Sequence, residues 1–159
     1  MMSRVQKGLV AGFAATLAVS ALDAANLLFG PWAAAFPRLL SFILQTDGNM
    51  VVGWAAHLAV GTLVLGPIFA LLCPRLPTDT PESKGILFAV AAWILMMLTV
   101  APLGGVGVFA VGAGFPTMAW LLFTHVVYGV VLGGVYGWMV ERDKRAARAA
   151  QAPSGAAHA

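Results

Sequence analysis

The 159-residue chain is 60% hydrophobic and only 9% charged, with a mean hydropathy of +0.89 and a formal net charge of +3. Those values exclude an ordinary soluble domain, of which about 25% is charged, and indicate a polytopic membrane protein. Nucleic acid is not the partner this charge serves, because the positive residues flank apolar runs, where they anchor membrane helices.

Four apolar stretches approach the roughly 20 residues a helix needs to cross a hydrocarbon core of about 30 Å. They are Leu9–Phe29, Met50–Leu72, Gly85–Pro102 or somewhat beyond, and Pro116–Val140. The expected fold is an all-α membrane protein of four transmembrane helices. In such a fold Arg4, Lys7, Arg75, Lys84, Arg142, Lys144, Arg145 and Arg148 share one side, and Arg38 lies on the other. The positive-inside rule makes the first side cytoplasmic, so both termini face the cytoplasm.

The first stretch opens with Arg4 and Lys7 and contains Val19-Ser20-Ala21, features also found in a cleaved secretory signal. Its apolar run continues past Ala21 to Phe29, which favours a retained helix. Asp23 and Asn26 sit near its outer end. Residues Arg38 to Gln45 have apolar positions suited to a short interfacial helix on the outer leaflet. The second stretch carries His57 and ends at Cys73, the only cysteine, which excludes an intrachain disulfide and reads as a packing residue. After the third stretch, the segment 103–114 is apolar, glycine-rich and uncharged. Either the helix continues past a kink at Pro102, or the segment dips back into buried surroundings. The fourth stretch carries His125 and Tyr128, and a basic segment from Arg142 follows, suited to anionic headgroups. The last residues, around Pro153 and Gly155 with His158, read as a disordered tail. Trp32, Trp120, Trp138 and Tyr136 read as interface or packing aromatics.

The pattern Met-x6-His-x3-Gly-x4-Gly occurs twice: Met50, His57, Gly61, Gly66 and, 68 positions on, Met118, His125, Gly129, Gly134. Lys7-Gly8-Leu9 matches Lys84-Gly85-Ile86, and Ala35-Phe36-Pro37 matches Gly114-Phe115-Pro116. The chain thus reads as two repeated helical hairpins, about 4–75 and 81–140, followed by a tail over 141–159. Each unit has two spans, so both copies enter the membrane with the same polarity, about an axis along the membrane normal.

Helical rise places His57 about 10 Å, His125 about 14 Å and Asp23 about 9 Å below the outer boundary. Imidazole at such depth is rare and often functional. One reading is a b-type haem between the second and fourth helices, with His57 and His125 as axial ligands. Gly61 and Gly129 would then make room for the macrocycle, and Asp23 would accept the second ring N–H of His57. Trp54, Phe123 and Tyr128 would supply its apolar wall. A competing reading uses the same residues for packing. Gly53, His57 and Gly61, and His125, Gly129, Gly133 and Gly137, form four-residue stripes that let helices approach closely, within the chain or against a partner. A copper or zinc site is a third possibility. Met50 and Met118 each lie about 10 Å from their histidine along the helix, too far for one ion, and His57, His125 and Asp23 form the alternative ligand set. A proton or small-solute pathway would use Asp23, Asn26, His57, Thr62, Thr99, Thr124, His125 and Tyr128. No Gly-x-Ser-x-Gly elbow, phosphate loop or His-Glu-x-x-His motif is present.

Lys7-Gly8-Leu-Val-Ala-Gly-Phe-Ala-Ala-Thr16, with the His-x3-Gly of the second and fourth helices, resembles a family of small bacterial four-helix integral membrane proteins of unknown function. The resemblance covers the chain to about Val140 and implies a bacterial plasma-membrane protein, with no activity or functional residues to transfer. The expectation is a non-enzymatic accessory or interaction subunit in contact with lipid. A haem-binding electron-transfer subunit and a solute pathway are the alternatives.

Overall fold

A computed structural model describes residues 2–30 and 33–151. Ser3 starts α1 (Arg4–Leu28) through a capping box: its hydroxyl accepts the Gln6 N–H at 3.2 Å, and the Gln6 side chain accepts the Ser3 N–H at 2.8 Å. A short α2 (Phe36–Ile43) begins with Pro37 in its first turn, where a missing N–H costs nothing. Asn49 then caps α3, accepting the N–H groups of Val51 and Val52. The helix α3 spans Met50–Arg75 but is not uniform. Its α-helical start, Met50–Ala59, gives way to a π turn over Val60–Leu65, then to α-helix from Gly66 to Leu72 and a final 3-10 turn at Cys73–Arg75. The π turn runs up to Gly66-Pro67, where proline removes one donor from the ladder.

Thr80 caps α4 (Pro81–Leu103), accepting the Ser83 N–H at 3.2 Å. This helix breaks at Thr99 (φ −122°, ψ −63°), ahead of Pro102, whose ring would collide with the carbonyl of Leu98 one turn earlier. It ends at Leu103, so the segment that follows is not a helix extension. It folds into 3-10 turns over Val108–Ala113, with Phe109 and Ala110 in the left-handed region (φ 54° and 55°). Ala110 is fully buried in a cluster with Met97, Ala101 and Leu121, so the loop closes back on the bundle end. Finally α5 (Phe115–Gln151) runs well past Val140, which makes the basic segment helical at least to Gln151. The expected disordered stretch from residue 152, with His158, and the expected interface residue Trp32 lie outside the described residues.

No strand occurs among the described residues, and four helices (α1, α3, α4, α5) are long and apolar enough to cross a membrane. The packing is built on glycine. In one hairpin, Gly8 and Gly12 of α1 meet Gly61, Gly66 and Ala70 of α3. A Cβ at Gly12 would stand 2.7 Å from the Gly61 oxygen. In the other, Gly85 of α4 meets Gly129 of α5, while Gly133 and Gly137 of α5 receive Pro81. The two hairpins join where α1 packs on α5. The space between α3 and α4 is filled differently at its two ends. Near the termini, Phe69 of α3 meets Phe88 of α4 with ring centroids 5.5 Å apart. At the far end α2 is wedged in: Pro37, Leu39, Leu40 and Ser41 are buried, and the Pro37 backbone sits against Gly53. One face of α2 is therefore packed into the bundle, while Arg38 and Phe42 on its other face stay exposed.

Both ends of the chain meet in one ion pair. Lys7 Nζ lies 2.7 Å from Asp143 Oδ2, with both side chains largely shielded. Loss of the pair in Lys7→Gln is expected to speed amide exchange over residues 141–151, leaving residues 117–137 protected. The Lys7 ammonium holds the Asp143 carboxyl below its ordinary value of 3.8. The contribution of the pair is therefore fully present above that value and disappears only as pH falls through the lowered one. An exchange titration from pH 6 to pH 2 should show the release of 141–151 below the ordinary carboxyl range.

Candidate functional site: a small cavity between the histidines

The two histidines do come together. His57, on the last α-helical turn of α3 before the π turn, is 7% exposed. Its Nε2 is buried without a hydrogen-bond partner among the described residues. On α5, His125 Nδ1 lies 2.7 Å from the carbonyl oxygen of Leu121. A carbonyl only accepts, so Nδ1 carries the proton and Nε2 carries the lone pair. Phe36 of α2 touches both imidazoles edge-on, with centroids at 5.8 Å and 6.5 Å. Trp54 packs on His57 at 5.8 Å.

The imidazoles line a cavity of about 40 Å³ together with Thr16, Val19, Phe36, Gly61, Thr124 and Tyr128. Every hydroxyl here has its proton engaged by backbone: Thr16 donates to the Gly12 carbonyl (2.6 Å), Thr124 to Leu121 (3.1 Å) and Tyr128 to Gly61 (2.7 Å). The Gly61 carbonyl also accepts the Gly66 N–H in the π turn, so the irregular turn of α3 is tied to α5 by Tyr128. Tyr136 repeats the tie two turns later, reaching the Ala70 carbonyl at 3.5 Å. That carbonyl has lost its usual donor to Pro74.

Asp23 is 1% exposed and does not serve His57 as expected. Its Oδ1 accepts the indole N–H of Trp120 at 2.9 Å, linking α1 to α5. Asn26 donates to the Ala33 carbonyl at 3.0 Å. Thr117 accepts the Ala34 N–H at 3.1 Å, so the linker into α2 is pinned to both α1 and α5. Trp120, Phe36, Thr16 and Thr117 had drawn no role beyond packing in the sequence. Only Phe36 carried a signal, as the centre of the repeated small-Phe-Pro triplet.

A haem does not fit these residues. Gly61 and Gly129 are already in contact: a Cβ at Gly61 would strike the Thr16 hydroxyl, and one at Gly129 would stand 2.6 Å from the Gly85 oxygen. The macrocycle has no room against either backbone. The cavity is far below the 300–1,000 Å³ of pockets that hold a sizeable ligand. Among the described residues no three His, Cys, Asp or Glu side chains group as a metal site, so the set of His57, His125 and Asp23 does not form. Met118 borders a separate apolar hollow with Phe109, Val111, Gly114 and Phe115.

The hydroxyls expected along a pathway are likewise tied down or apart. Thr99 donates to the Leu95 carbonyl at 2.7 Å on an exposed face, and Thr62 is buried without a partner. Towards the termini the bundle is sealed by Phe69, Phe88, Leu132, Tyr136 and Met139, each at most 8% exposed.

A bundle that is all helical over the described residues, with four helices long and apolar enough to cross a membrane, fits a multi-pass membrane protein. The chain belongs to the family of unknown function DUF6789, whose model matches residues 2–147. No curated protein and no solved structure matches it significantly.

Proposed function

We propose that the protein is a non-enzymatic subunit of a bacterial plasma membrane that acts by association with a second membrane protein or another copy of itself. The observation that supports this most is the tightly packed interior. Its polar groups are mostly spent on internal ties, its cavity is small, and one end is filled by aromatic side chains. The glycine stripes are not free for a partner, since Gly8, Gly12, Gly61, Gly66, Gly85, Gly129 and Gly133 are consumed inside the chain. One stripe of α5 stays outward: Phe123, Val130 and Trp138, 40–62% exposed, with Gly134 among them. Spacings of 7, 4 and 4 put these on one helix face, the surface available for association.

The reading takes the chain as two like hairpins of equal polarity. Lys7, Lys84, Arg75 and the basic part of α5 gather at the end that holds the termini, which the positive-inside rule makes cytoplasmic. Proteoliposomes under an imposed pH gradient, with potassium and valinomycin to carry counter-charge, are expected to leak protons no faster than empty liposomes. Native mass spectrometry from membrane nanodiscs is expected to give a mass above one chain, reduced to one chain by Gly134→Leu. Proton flux that disappears in His57→Ala, or a single chain from the native membrane, would overturn the proposal.

A further inference from the structure

We propose that the cavity bounded by His57 and His125 is a binding site for a single copper(I) ion, held by the Nε2 atoms of the two imidazoles. Thr16, Thr124, Tyr128 and His125 Nδ1 each have their proton committed to a backbone carbonyl. What they leave for the cavity is lone pairs. His57 supplies the remaining polar atom, a buried Nε2 without a hydrogen-bond partner among the described residues. A buried polar atom without a partner is costly, and in the His57 tautomer that carries its proton on Nδ1 an electron-pair acceptor at Nε2 relieves it. With both imidazoles in that tautomer the cavity suits a cation or a hydrogen-bond donor small enough for about 40 Å³.

Imidazole nitrogens favour transition metals among small cations, and copper binds most strongly of the first-row series. The oxidation state follows from the surroundings. No carboxylate lines the cavity, since Asp23 is turned to Trp120, so a divalent ion would sit in an apolar interior without compensating charge. Zinc also asks for four ligands, and only two nitrogens are present. A monovalent ion content with two neutral donors matches both limits. The Leu121 carbonyl, by fixing the His125 tautomer, acts as the outer partner that metal-bound histidines commonly have. Phe36 packs edge-on against both imidazoles and Trp54 against His57, which makes the surroundings apolar. This inference does not depend on the association proposed above.

The full-length protein in detergent, kept anaerobic, should take up one copper(I) per chain in competition with bicinchoninate. His57→Gln and His125→Gln should each weaken uptake by at least about 100-fold, because loss of even an outer partner of a ligand costs about 10–100-fold. X-ray absorption of the loaded wild type should show two nitrogen neighbours and no sulfur. That measurement stands even if a variant folds poorly. Uptake no greater than in the doubly substituted protein, a sulfur neighbour from Cys73 or a methionine, or stoichiometric zinc held in preference to copper would each overturn the assignment. So would an excess of bound water with no metal affinity, which would make the cavity a hydration site.

Discussion

Gly85→Val is expected to prevent the second hairpin from closing, at a cost of at least about 3 kcal/mol, the upper range for overpacking. Its Cβ would strike the Gly129 carbonyl oxygen and stand 2.9 Å from both the Gly129 carbonyl carbon and the Gly133 nitrogen. All of these are backbone atoms, which no rotamer change can move aside. The informative control is Gly134→Ala. Gly134 closes the second copy of the repeated pattern, as Gly66 closes the first. Yet a Cβ there would meet only the Glu82 side chain, at 3.6 Å, whereas one at Gly66 would strike the Gly8 backbone. Gly134→Ala should therefore be neutral or stabilising by up to about 1 kcal/mol, the gain in helix propensity. Gly66→Ala should be strongly destabilising. Thermal unfolding of the three variants in one detergent checks the order. Equal losses at Gly66 and Gly134 would show that the motif, and not the backbone contact, sets the requirement.

Trp120→Phe is expected to cost about 2 kcal/mol, because it removes the indole N–H that satisfies a buried carboxyl. Asp23→Leu abolishes the need for that donor, so the double variant should be less destabilised than the sum of the singles. A coupling of about 1–3 kcal/mol between residues 23 and 120 is anticipated for such a contact. Asp23 and His57, the pair expected from sequence, should show no comparable coupling. A cycle of Asp23→Leu with His57→Phe measures this in the same assay. Strong coupling there would return Asp23 to the histidine and remove the argument that the cavity lacks a carboxylate.

The number and position of the spans were readable because they rest on composition, and four runs of apolar residues dictate four helices whatever their packing. The glycine stripes were readable as close-packing surfaces for the same reason. Their partners were not. Gly61 belongs with α1 and Gly129 with α4, and only the fold shows that these neighbours leave a flat cofactor no room. The histidines were found by rarity in an apolar setting, and they do share one cavity. Its size was hidden, because it depends on Phe36, delivered by a short helix whose apolar positions suit either a membrane surface or a wedge in the bundle. The partner of Trp120, read as an interface or packing aromatic, was hidden for a related reason. Tryptophan near a helix end is usual at a membrane interface, and nothing local announces that its N–H meets Asp23, 97 positions away. The π turn in α3 likewise has no simple sequence mark beyond Gly66-Pro67, yet it shapes the backbone that Tyr128 holds.

That His57 and His125 line a small cavity, and not a seat for a prosthetic group, is tested most directly by absorbance. The protein should be purified in detergent from cells amply supplied with haem, and its spectrum recorded oxidised and then dithionite-reduced. A colourless preparation is predicted, and it would stay colourless with copper(I) bound. A Soret band that shifts on reduction and disappears in His57→Ala or His125→Ala would contradict the cavity and the function proposed from it.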